Sequence, residues 1–179
     1  MSEENEEKIN GLLEKMLDKE QEEPLKYGEH LARIGGPELR QSLIRLMKEG
    51  DMEQAFLAGK TLSMMPEEKD KSLDALLEVI HHPANHPHNG GLVSLLDEFD
   101  LSQKFVDLFR IYLFGNFKAS ALAKVHLDYT EFDISPRTLK KAEKHLKHFL
   151  HNASHDEAFE LKKEEAETIL KELEDLLSG

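Results

Sequence analysis

The chain has 179 residues, a formal net charge of −13 and no cysteine, with 39% hydrophobic and 33% charged residues. A chain of this length removes about 70% of its unfolded surface from water in one core, and the absence of thiols excludes disulfides, thiolate zinc sites, iron–sulfur clusters and thiol nucleophiles. So acidic a composition also lacks the excess of Lys and Arg from which general nucleic-acid binders draw their affinity, so nucleic acid is disfavoured as a partner.

The first residues, Met1-Ser2-Glu3-Glu4-Asn5-Glu6-Glu7, are acidic where a secretory leader is basic and then apolar, and no apolar run approaches the about 20 residues that cross a bilayer. The expectation is a soluble, cytoplasmic protein without a membrane partner. Ile9, Leu12, Leu13, Met16 and Leu17 follow the spacing that lines one face of a helix, with acids in the first turn where the helix dipole favours them. Pro24 opens a second, shorter helix carrying Leu25, Leu31 and Ile34, and Gly35-Gly36-Pro37 stops it, because Gly accepts a left-handed cap and Pro restarts a helix.

From there the pattern repeats. Residues 43–62, LIRLMKEGDMEQAFLAGKTL, align without a gap to residues 108–127, LFRIYLFGNFKASALAKVHL, at an offset of 65. Leu43, Arg45, Gly50, Leu57, Ala58 and Leu62 are identical to Leu108, Arg110, Gly115, Leu122, Ala123 and Leu127, and Asp51 is matched by Asn116. In each copy an apolar helix ends at Gly and an Asp or Asn caps the next one, which predicts a tight helical hairpin written twice. A third copy falls between them, with Leu76 to Ile80 as its first helix and Leu92 to Phe99 as its second. Its turn is swollen by the stretch from His82 to Gly91.

Beyond the repeats, residues 128–133 serve as a connection, Ser135-Pro136 opens a helix to about His151, and Ser154 with Glu157 carries a capping-box signature for a last helix to about Leu177. The organisation expected is one all-α domain over residues 1–179: N-terminal helices in 1–36, three repeat hairpins in 37–134 and a longer C-terminal hairpin in 135–179. The last helix can close its own hairpin or a dimer equally well.

At the repeated Leu-x-Arg, Gly-Asp/Asn and Leu-Ala elements, over about residues 39–128, the chain resembles the HEAT-like family of α-solenoid repeats. The in-helix proline frequent in that family is absent and the middle unit carries an insertion. The resemblance implies a short α-solenoid, a superhelix of antiparallel helix hairpins whose second helices line an inner face used to bind proteins. Carried over, that face comes from residues 52–63, 92–99 and 117–127, with Glu53, Lys60 and Lys118 as partner-facing residues. Leu57 and Leu122 lie outside the main stripe and are expected between repeats.

Two further features carry chemistry. His81, His82, His86 and His88 stand in one loop, and three imidazoles, His82, His86 and His88, are the candidates for folding around a divalent metal, although no acid or thiol completes a familiar spacing. The helix from Arg137 carries Lys140, Lys141, Lys144 and Lys147 opposite a stripe of Leu139, Ala142, Leu146, Phe149 and Leu150. Its basic face suits phosphates, an anionic membrane or, most simply, the acidic last helix. No nucleophile–base pair, phosphate-binding glycine loop or His-Glu-x-x-His helix is present. The expectation is a protein without catalysis or cofactor that presents a helical surface to a protein partner, with metal binding by the histidine loop as the alternative.

Overall fold

A computed structural model of the protein describes residues 2–179. The described residues form ten α-helices and two 3₁₀ turns, and no strand. The helices are α1 (Glu3–Leu17), α2 (Pro24–Ile34), α3 (Pro37–Glu49), α4 (Met52–Ser63), α5 (Lys69–His81), α6 (Gly90–Ser94), α7 (Phe105–Phe114), α8 (Phe117–Tyr129), α9 (Pro136–Asn152) and α10 (Glu157–Ser178). The chain divides into two compact units, one over Met1–Phe99 and the other over Asp100–Gly179.

The first unit is built around α4. Its N-terminal helices pair through the stripe that includes Ile9 and Met16, and both α1 and α2 reach α4. Helix α2 ends where Gly35 takes φ +65, a conformation that costs a side-chain-bearing residue about 1–2 kcal/mol. Helix α3 pairs with α4, α5 packs on both, and α6 closes on α4. The start of α3 is tied to the start of α5 by Arg40, which is buried and donates to Glu68 at 2.7 Å. Glu68 also accepts from Lys71 at 2.6 Å and is the one non-glycine residue with positive φ among the described residues. These cations hold its carboxyl below the usual range, Lys71 contributing most.

The second helix of the middle hairpin departs from expectation. Instead of a helix spanning 92–99, α6 makes little more than one α-turn and passes into a 3₁₀ turn over Leu95–Glu98. Leu92, Val93, Leu95 and Leu96 are nevertheless all buried. A 3₁₀ turn eclipses side chains three apart, and Leu92 with Leu95 and Val93 with Leu96 stand at that spacing.

The second unit is centred on α7, whose Phe105, Leu108, Phe109, Ile111, Tyr112 and Leu113 are buried. Helix α7 packs against α8, α9 and α10. Phe149 of α9 meets Phe114 edge-on at 5.9 Å and stacks on Phe159 of α10 at 5.2 Å, which joins three helices through one aromatic cluster. Ser135 and Thr138 form a capping box at the start of α9. The N-cap of α10 is Asp156, accepting from the Ala158 amide, and not Ser154. Asp caps as well as Ser does and adds an acidic group at the positive end of the helix dipole, and α9 runs to Asn152, leaving little chain for an earlier start.

Candidate functional site

The two hairpins share their turn in detail. Asp51 accepts from the Gln54 amide and Gln54 reciprocates to the Asp51 amide, while Asn116 accepts from the Ala119 amide at 3.0 Å. Glycine precedes each cap for want of space and not for handedness, since both Gly50 (φ −76) and Gly115 (φ −72) are extended. A Cβ on Gly50 would stand 2.6 Å from the Leu46 carbonyl oxygen, and one on Gly115 would stand 2.4 Å from that of Ile111.

Past the turn the copies diverge. In α4, Ala55, Leu57, Ala58, Gly59, Thr61, Leu62 and Ser63 are buried, whereas in α8 only Ala119, Ser120 and Ala123 are. Helix α8 instead presents Phe117, 92% exposed, Val125, 54%, and Tyr129, 84%. With the exposed Ala121 these lie four residues apart, and side chains at that spacing form the continuous ridge that a neighbouring helix takes into its groove. The matching ridge of α4 is Met52, Phe56, Lys60 and Met64, all half-buried. There α6 and the 3₁₀ turn lie against α4, Gly91 approaching Phe56 and Glu98 pairing with Lys60 at 3.1 Å.

Beside the α8 ridge runs an open, largely apolar groove of about 490 Å³ between α8 and α10, lined by Phe117, Ala121 and Leu161 at its rim and by Tyr112, Lys162 and Glu165 deeper in. The Tyr112 hydroxyl donates to Glu165, and burial pushes the phenol above its usual range with the carboxylate acting the same way. Lys162 donates to the carbonyls of Leu113 and Gly115, each at 3.2 Å, covering orphan acceptors at the end of α7. Burial lowers the pKa of this ammonium, opposed by Asp156. Those polar groups are spent on the helix end and on each other, Asn116 and Asp156 cap helices and Lys124 pairs with Asp128, which leaves the groove largely apolar.

Compared with known proteins, the chain matches no family model, no curated protein and no solved structure at a significant level.

The residues expected to face a partner are placed differently from one another. Glu53 and Lys118 are exposed, on α4 and α8, while Lys60 is engaged by Glu98. Leu57 is buried and Leu122 half-buried. The residues that dominate the α8 surface, Phe117, Val125 and Tyr129, were not singled out from sequence, although their i, i+4 spacing was there to be read.

The histidine loop does not converge on a metal: among the described residues no group of three or more His, Asp or Glu is placed to hold an ion. The loop finishes α5 instead. Asn85 donates to the Val79 carbonyl at 2.9 Å, the buried Asn89 to that of Ile80 at 2.8 Å, and the His86 Nε2 lies 3.1 Å from that of His81. Three successive carbonyls at the end of α5 thereby gain side-chain partners, Val79 in addition to the His82 amide. His82 accepts from the Ala84 amide, and His88 is exposed.

The expected ion pairing of α9 with α10 is also absent. Among the described residues Arg137, Lys140, Lys141, Lys144 and Lys147 have no ion-pair partner and are all exposed. The apolar stripes of α9 and α10 meet, and that geometry turns both charged faces outward. No helix among the described residues is long and apolar enough to cross a membrane.

Proposed function

We propose that this protein is a non-catalytic interaction module, a HEAT-like scaffold, whose second unit binds an amphipathic helix of a protein partner along α8. One observation carries this reading: Phe117, Ala121, Val125 and Tyr129 form an exposed apolar ridge on a helix whose repeat counterpart, α4, is covered. The counterpart also supplies the nature of the occupant. In the first unit the same ridge lies under a short helix and a 3₁₀ turn, so the occupant of α8 is helical and apolar on one face. Phe117 and Tyr129 are the aromatic anchors at its two ends, since large rings taken out of water carry most of the energy of such contacts.

A photo-crosslinking residue placed at Phe117 in the full chain, expressed in its source cells, tests the reading. The expected result is one dominant protein adduct, which disappears when Val125→Asp is added and does not form from the same residue placed at Glu38 of α3. No adduct at 117, or an equal one at 38, sinks the proposal.

A further inference from the structure

A separate cleft of the second unit gathers positive charge in an acidic protein. It lies between the first half of α7 and the first half of α9, with a volume of about 710 Å³, and is lined by Lys104, Arg110, Arg137, Lys141 and His145. The only acids lining it are Asp107 and Asp133, and the Asp133 carboxylate already accepts from Gln103. Arg110 is half-buried, and neither it nor Arg137 nor Lys141 has a hydrogen-bond or ion-pair partner among the described residues.

We infer that the α7–α9 cleft is an anion site that takes the phosphate group of a small phosphorylated molecule. Unpaired cations lining one cleft repel one another, and the chain spends none of its 36 acidic residues on neutralising these three. Two guanidiniums from different helices, with the Lys141 ammonium in the same lining, supply the planar forks and point charge that phosphate oxygens accept. Four permanent cations against two acids leave a surplus close to the charge of about −1.5 to −2 that a phosphate monoester carries near pH 7. The start of α9 lies in the same wall, and its dipole adds to the field. Phe105 is buried and no exposed aromatic lines the cleft, so it has no platform for a stacked base. The net charge of −13 disfavours a long polyanion as well. The site uses none of the α8 residues and stands or falls without them.

Inorganic pyrophosphate titrated into the isotope-labelled full chain at about 150 mM salt tests it. The expected result is saturable one-site binding with the largest amide shifts at residues 104–110 and 135–141. Arg110→Gln and the exposed pair Arg137→Gln with Lys141→Gln should each weaken binding by about tenfold or more, and Lys147→Gln, on the same basic face but outside the cleft, by less than about twofold. The exposed pair guards against a folding defect in the Arg110 variant. Failure to saturate, or equal weakening by Lys147→Gln, overturns the site. A short single-stranded oligonucleotide that displaces pyrophosphate below the pyrophosphate midpoint assigns the cleft to nucleic acid and overturns the small-molecule reading.

Discussion

The α3–α4 and α7–α8 hairpins start from the same sequence pattern and end in different surroundings. Their turns share a Gly followed by a side-chain N-cap, Gly50-Asp51 against Gly115-Asn116, and only the first is closed by a reciprocal bond, from Gln54. Both also receive a returning strand of chain at the start of their first helix, but by different chemistry: Arg40 pairs with Glu68 in the first unit, and at the matching position Phe105 meets Phe132 edge-on at 5.4 Å in the second. The second helices differ most, α4 being roofed by α1, α2, α5 and α6, while α8 packs on α7 and leaves its far side open. A repeat unit encodes its own hairpin, but whether its outer ridge is core or surface depends on what the neighbouring chain supplies.

The largest test of that difference compares Leu62 with its counterpart Leu127. Leu62 is 1% exposed and Leu127 is half-buried. Leu62→Ala should cost about 2–5 kcal/mol and Leu127→Ala about 1 kcal/mol or less, measured by urea denaturation of the full chain. Equal losses would break the comparison by showing that α8 is covered as well as α4 is. A test of the shared turn comes next: Gly50→Ala and Gly115→Ala should each destabilise by about 1–3 kcal/mol, because the new methyl meets a helix carbonyl in both. Loss in one hairpin alone would mean that the second turn relaxes where the first cannot.

The smallest effect separates the two caps. Asn116→Ala should cost about 1 kcal/mol at any pH. The Asp51 carboxyl is held below its ordinary pKa, first by the Gln54 amide and then by Lys19. A depressed carboxylate contributes stability that is fully present above its unfolded pKa of about 3.9 and is lost as pH falls through the lower folded value. Amide exchange across the first turn should therefore accelerate in that acid window and become insensitive to it in Asp51→Asn. The Asn116 turn should show no such window, and a window there would overturn the assignment of acid sensitivity to the cap.

Much of the architecture was legible because it is local. The all-α class, the number of helices, the hairpin turns and the starts of α3, α4, α8 and α9 follow from apolar spacing and from caps that act within four residues. The histidine loop was misleading for an equally physical reason. Its composition suits a metal, but the orphan carbonyls of α5 engage Asn85, Asn89 and His86 first, and that competition is visible only when the chain folds back. The basic face of α9 and the acidic face of α10 attract on paper, yet the stronger demand to bury Leu146, Phe149 and Phe159 sets the rotation of both helices.

Sequence by itself determined that the chain is all-α, where α3, α4, α8 and α9 begin and which hairpins are copies, since capping and amphipathic spacing depend on residues a turn or two apart. Tertiary structure alone decided that α4 is core while α8 carries a bare ridge, that α6 gives way to a 3₁₀ turn, and that Arg110, Arg137 and Lys141 share one cleft. Each of these depends on contacts between segments distant along the chain, where burial of one surface leaves another exposed.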